Sequence, residues 1–323
     1  MKNKLKKLLS TLLIFLIVVG IASCSNNQDR MMFGTGGSAG TYYSYGGVLA
    51  QYFKKYANIR VTAVSTGGSK VNIESMKDGD FQMGLSQSDV MTYAWNGERA
   101  FEEDGKVDNF RTLAALYAET VQLITMDKSI NNVGDLKGKS ISVGEAGSGA
   151  FFNAVDVLES AGLTLDDIKP QYQSFEDSKE SLKDGKIDAA FIVAGAPTTA
   201  ITELATTNGV KLVNIDGTYR DKIIKKHPYY SKLSIPKGTY PKQDKDVDTI
   251  AVQASLIVDK NASEKVVYDL TAAIFDHIDE IKKENAKGEE LNLENASSIT
   301  TVAYHKGAAK YFKEHGIKVK TSN

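Results

Sequence analysis

Cysteine is nearly absent: Cys24 is the only one in 323 residues. A single thiol leaves the mature chain no intramolecular disulfide, no Cys-ligated zinc site and no thiol nucleophile. Histidine is scarce as well, and positions 227, 277, 305 and 315 lack the spacing of metal ligands, so no metal site is expected. Basic clusters are missing beyond the first residues. Loss of an N-terminal segment carrying Lys2, Lys4, Lys6 and Lys7 would lower the net charge from −1 to about −5, a poor balance for binding nucleic acid. After residue 22 no apolar run has the roughly 20 residues a membrane span needs.

What is there begins with export chemistry. The four lysines precede an unbroken apolar stretch from Leu12 to Ile21, followed by small residues and Cys24. That is the pattern of a signal peptide, and Leu8 to Ala22 is too short to span a bilayer. Ile21-Ala22-Ser23-Cys24 resembles the bacterial lipobox. A signal over 1–23, lipidation at Cys24 and a short tether over 24–29 are therefore expected, with the mature protein lipid-anchored on the extracytoplasmic face of the membrane.

The remaining 300 or so residues suit two lobes of ordinary domain size. Short strand-like runs (Ile59 to Val64, Phe81 to Leu85, Leu113 to Leu116, Ile141 to Val143, Ala189 to Val193) alternate with helical patterns, which predicts an α/β fold with largely parallel sheets. Tyr45, Val48, Leu49, Tyr52, Phe53 and Tyr56 form one core-facing helical stripe, and Val266, Leu270, Ala273, Ile274, His277, Ile278 and Ile281 another. Two passages are similar. Gly36-Gly37-Ser38-Ala39-Gly40-Thr41-Tyr42-Tyr43 is matched by Ala146-Gly147-Ser148-Gly149-Ala150-Phe151-Phe152, and Met76-Lys77-Asp78-Gly79-Asp80-Phe81 by Leu182-Lys183-Asp184-Gly185-Lys186-Ile187, in the same order. Two lobes on one plan follow, with chain crossings at Val121 to Thr125 and Thr239 to Val258. The expected division is 30–122 plus 245–323 for lobe I and 123–244 for lobe II.

Several catalytic patterns match by accident. Gly36-Gly37-Ser38-Ala39-Gly40 fits the G-x-S-x-G elbow, but Ser38 comes too early to have the upstream strands an oxyanion hole requires. Gly34 to Ala39 fits a dinucleotide fingerprint without the acid that should end the next strand. Gly134 to Ser140 is one residue short of a phosphate loop and runs into a strand pattern. Asp244, Asp246 and Asp248 mimic a calcium loop that lacks its glycine and closing glutamate. What survives is the physics of Gly-Ser loops that enter helices. They expose backbone N–H groups at a positive helix end, a place for anions. Thr66-Gly67-Gly68-Ser69 with Asn72, and Gln87-Ser88-Asp89, repeat the arrangement at strand ends, where ligands of open α/β sheets sit. Ser69 and Ser88 as plain N-caps are the alternative. Arg99 and Arg111 lie outside these loops and are expected to be surface charges.

Together with Asp135-Leu136-Lys137-Gly138-Lys139, Ala194-Gly195-Ala196-Pro197, Gly238-Thr239-Tyr240-Pro241 and Leu293-Glu294-Asn295-Ala296, these loops resemble the TAXI family of solute receptors of tripartite ATP-independent periplasmic (TRAP) transporters. The resemblance runs from Gly34 to about Gly316. It implies a two-lobed periplasmic-binding-protein fold of type II, no catalysis and no cofactor, a small anionic cargo such as glutamate or a C4–C5 dicarboxylate, and TRAP membrane subunits as partners. By matching position, ligand contacts fall on Gly37, Ser38, Thr41, Tyr42, Ser69, Asn72, Gln87, Ser88, Gly147, Ser148 and Gly149. Ala150 and Ser44 depart from the family's usual threonine and proline. A receptor for an ATP-driven importer, an anchored enzyme and a sensory module remain as alternatives.

Overall fold

Apolar runs punctuated by glycine lay out a strand–helix alternation over residues 30–322, the part of the chain that the computed structural model describes. The signal peptide, the tether and Cys24 lie outside the described residues. The first passage is β1 (Arg30–Gly34), α1 (Thr41–Tyr56), β2 (Arg60–Val64), α2 (Ser69–Asp78), β3 (Met83–Gln87) and α3 (Ser88–Asn96). A long strand, β4 (Phe110–Thr125), leads to the second: β5 (Ser140–Ser142), α4 (Gly149–Ser160), β6 (Lys169–Gln171), α5 (Phe175–Lys183) and β7 (Ala189–Ala194). Then come α6 (Thr199–Thr207), β8 (Lys211–Val213), α7 (Gly217–Lys226), β9 (Ser231–Ile235) and the second long strand, β10 (Val247–Asp259). The chain closes with α8 (Glu264–Phe275), α9 (Ile278–Glu284), α10 (Leu293–Ala296) and α11 (Lys306–Glu314).

The internal repeat is visible in the sheet. Strand order is β2-β1-β3-β10-β4-β7-β5-β6, so the parallel triplets β2-β1-β3 and β6-β5-β7 are equivalent, and each meets a long strand antiparallel through its third member. The matched Asp-Gly turns fall at the same place in both. Gly79 and Gly185 end α2 and α5 with φ of 87° and 68°, a left-handed backbone that glycine adopts without a steric penalty.

β4 and β10 serve both lobes. They pair with each other from Phe110↔Asp259 to Thr120↔Ala251, and the far end of β4 pairs with β7 and β8 and that of β10 with β9. Register shifts at Ala254/Ser255 and Leu256/Ile257 mark bulges, which bend a strand pair and add twist. The apolar core changes over at the same level. One cluster gathers residues 31–117 and 254–312; two others gather residues 121–252. On β7 the alternation of period two decides the partner: Ala189, Phe191 and Val193 join one cluster, Ala190, Ile192 and Ala194 the other.

The α1 stripe packs inward as expected, with Tyr45, Leu49, Tyr52 and Phe53 buried. The second stripe is broken into α8 and α9 at Asp276-His277, where the His277 ring stacks on Tyr56 at 3.3 Å between centroids. Among the described residues no helix is long and apolar enough to cross a membrane.

Candidate ligand-binding cleft

Four helix N-termini point into one space between the lobes. Gly36, Gly37, Gly40, Thr41 and Tyr42 bring α1; Gly67, Gly68 and Ser69 bring α2; Gln87 precedes α3; Ser148, Gly149 and Ala150 bring α4 from the other lobe. Phe175, Val193 and Ala194 complete the far wall, and about 510 Å³ of space, part of it continuous with solvent, lies between. At α1, α2 and α3 no N-cap side chain caps the helix: the N-cap positions are Gly40, Gly68 and Gln87. At α1 and α2 the first N–H groups are therefore left to meet a ligand at a positive helix end, whereas at α3 the Asp89 carboxylate already accepts from the Asp89 and Val90 N–H groups. At α4, by contrast, the Ser148 hydroxyl accepts from Phe151 N at 3.2 Å and acts as an N-cap.

The cleft also holds acid. Glu119, on β4 where the strand passes between the lobes, is 2% exposed, and its Oε1 has no hydrogen-bond partner. Burial pushes its carboxyl up to about 8; Tyr117, Gln87 and Lys287 oppose the rise and the charge of Asp89 adds to it. Glu145 lines the cleft too, and burial raises its pKa as well. No lysine or arginine lines this space. Tyr42 Oη and Gln87 Oε1 are likewise buried and unpartnered. An orphaned buried polar atom is costly, and three of them around one cavity mark places for ligand contacts.

Of the residues singled out in the sequence, Gly37, Thr41, Tyr42, Ser69, Gln87, Ser148 and Gly149 come together here. Ser38 is exposed and borders an adjoining recess with Ser65, Thr66 and Ser174. Asn72 is fully buried and committed elsewhere: its Nδ2 donates to Thr35 O and Leu85 O at 2.7 Å each, and its Oδ1 accepts from Thr66 Oγ1 at 2.7 Å. It ties the loops together from behind. Ser88 accepts from Gln253 N at 3.1 Å and fastens α3 to β10 instead of facing the cleft. Gly147 stands beside the Lys70 side chain with φ of 77°, outside the lining. Sequence reasoning missed Glu119, Glu145 and Phe175. A lone glutamate inside an apolar strand pattern carries no local signal of its role.

A second polar cluster crosses between the lobes. Arg99 donates to both carboxylate oxygens of Asp156 on α4, at 2.9 and 3.2 Å, and lies over the Tyr93 ring. It is thus not the surface charge expected. Arg111 is a peripheral group, bonded to Ser322 and stacked on Trp95. Tyr93 meets Tyr229 at 2.6 Å between hydroxyls, Asn153 donates to Asp89 at 3.0 Å and Tyr230 donates to Asp156 at 2.8 Å. Burial lifts the Asp89 carboxyl to about 7 and lowers the pKa of the nearby His227. Asp156, Glu159 and His227 come close enough together for a cation, but Arg99 and Lys226 already neutralise the two acids. Nearer the cleft, Thr41 Oγ1 donates across to Gly195 O at 3.1 Å.

Two repeated α/β lobes, a pair of shared antiparallel strands and a cleft at the strand ends define a periplasmic-binding-protein fold of type II. The chain belongs to the NMT1-like family, whose pattern it matches over residues 33–316. Two solved structures with TM-scores above 0.5 share the fold, and a third is similar at a lower score. A protein from Bordetella bronchiseptica RB50 is 15% identical, with 88% of this chain and 82% of that one covered at a TM-score of 0.53. A chain assigned to L-cystine ABC transport in Listeria monocytogenes is 17% identical, covering 80% and 95% at 0.52. The periplasmic aliphatic sulphonate binding protein of Escherichia coli is 17% identical, covering 89% and 83% at 0.47.

Proposed function

We propose that the protein is an extracytoplasmic solute receptor, anchored through Cys24, that holds a small carboxylate between its lobes and passes it unchanged to a membrane importer. The observation that carries this is the convergence of uncapped helix N-termini on one cleft walled by both lobes. Hydrogen bonds to a charged group are worth roughly 1.5–3 kcal/mol each, so a few backbone donors suffice without an arginine. The ligand contacts are Gly37, Thr41, Tyr42, Ser69, Gln87, Ser148 and Gly149, with Glu119 added to them. Ser38 is exposed and no histidine lines the cleft, which weighs against the anchored-enzyme alternative.

We propose an ATP-driven importer as the partner ahead of a TRAP permease, in line with the name of the Listeria chain of the same fold, a putative L-cystine ABC transporter. The TAXI resemblance supports the TRAP reading, and the energetics of uptake distinguish the two. Vanadate, which blocks ABC ATPases, should stop receptor-dependent uptake, whereas dissipating ion gradients with ATP intact should not; the reverse pattern would establish a TRAP system. Mass spectrometry of solute released on denaturing the purified protein should return an unmodified small carboxylate. A phosphorylated, acylated or hydrolysed product in its place would sink the receptor reading.

A further inference from the structure

The helix ends account for a negative group on the solute; they leave the acids of the cleft without a purpose. Glu119 sits on the strand shared by both lobes, buried, with Oε1 unpartnered. The groups around it are Tyr117 on the same strand, Tyr42 at the start of α1, Gln87 and Asp89 at the start of α3, and Lys287 from the turn before α10. The Lys287 ammonium is held by Glu290. Glu145 supplies a second carboxyl from the opposite lobe, and no basic side chain lines the space to answer either acid. A plain dianion would require both acids to stay protonated beside it, whereas a zwitterion lets Glu119 ionise against an ammonium. A site for a zwitterion would look as this one does: positive helix ends toward one part of the solute, a buried acid toward another.

We propose that Glu119 is a specificity-determining residue that accepts hydrogen bonds from a protonated amine of the solute, so that the receptor selects amino-acid-like zwitterions over the corresponding dicarboxylates. This rests on the receptor reading above and narrows its substrate class. Gln87 Oε1, buried and without a partner, is positioned to accept a further N–H of the same group. Burial keeps the Glu119 carboxyl largely protonated near neutral pH in the empty protein, so taking up an ammonium should expel its proton.

The test is calorimetry with matched pairs, glutamate against glutarate and aspartate against succinate, on the full chain and on Glu119→Gln, with circular dichroism confirming that the variant folds. The wild type should bind at least one zwitterion tenfold or more tighter than its desamino partner, and Glu119→Gln should reduce that preference to within about threefold. In buffers of different ionisation enthalpy at pH 7, the wild type should release a substantial fraction of a proton on binding the zwitterion, and the variant none. If glutarate or succinate binds as tightly as its amino partner, or Glu119→Gln keeps the preference, the role of Glu119 is overturned while the receptor reading stands. If no member of the panel binds and denaturation releases no solute, both fall. Should Glu119→Gln fail to fold, the wild-type comparison of each zwitterion with its desamino partner decides, with proton release read beside it, and equal binding within each pair overturns the proposal.

Discussion

A β-carbon added to Gly149 at the start of α4 would lie 2.1 Å from Gln87 Oε1, far inside contact distance. Gln87 belongs to lobe I and Gly149 to lobe II, so the clash would push the glutamine out of its buried place or hold the lobes apart. Gly149→Ala should therefore weaken binding of the recovered solute about tenfold, read by calorimetry. The thermal midpoint should be unchanged or slightly higher, since alanine is the better helix former. Glu119 and Asp89 make a second prediction. Both carboxyls are raised on folding, to about 8 and about 7, so the stability they contribute is fully present below about pH 4 and is lost as pH rises through the folded values. His227, lowered by burial, acts in the opposite direction only below about pH 6.5. The empty protein should thus lose thermal stability between about pH 6.5 and 8, and Glu119→Gln should lose less. A flat profile would mean these carboxyls are solvated. The Gly-Ser loops were legible because loop glycines before a helix have few other uses. Glu119 was not legible, because a buried acid is recognisable only from what surrounds it.

Elements were legible where local pattern and tertiary context agree. The repeat of Asp-Gly turns and Gly-Ser loops pointed to two lobes on one plan, and apolar runs marked β2, β3, β5 and β7, while β1 and the short β6 carried no run of their own. β4 was harder. Its run is interrupted by Glu119, Thr120 and Gln122, so apolar patterning finds a strand at Leu113 to Leu116 and a separate crossing at Val121 to Thr125. The polar stretch is where the strand passes the cleft. The α8–α9 break was illegible for a different reason: no glycine or proline marks Asp276-His277, and nothing in the structure explains it beyond the stacking of His277 on Tyr56. Asn72 on α2 shows how one buried side chain fixes a whole set of loops, bonding the ends of β1 and β3 and the Thr66 turn. Asn72→Ala removes three buried hydrogen bonds, although Thr66 Oγ1 and Thr35 O still bond each other, and should cost about 3 kcal/mol, measured by denaturant unfolding. It should weaken solute binding as well, although Asn72 touches no solute.

For the whole molecule, we place the lobe boundary where the apolar clusters change over, between Tyr117 and Val121 and between Val252 and Ala254. The Arg99–Asp156 pair bridges that boundary, and the Asp156 side chain is fully buried. Removing one member of such a pair strands the other charge in the closed form only, so opening is favoured. Arg99→Met should enlarge the empty protein in small-angle scattering and raise the dissociation constant for the recovered solute tenfold or more, about 1.4 kcal/mol. Unchanged dimensions and affinity would show that the pair is incidental to closure.

The strand sharing has a consequence in time. An exported chain emerges from its translocation channel amino end first, and the core of lobe I draws on residues 31–117 and then on 254–312. Its β3 must wait for β10, more than 160 positions later, while the second lobe's clusters are built from one continuous stretch, 121–252. Pairings so distant in sequence form slowly. The half that starts first therefore finishes last, and until it does β3 presents an open edge to which quality-control factors or a second nascent chain can bind.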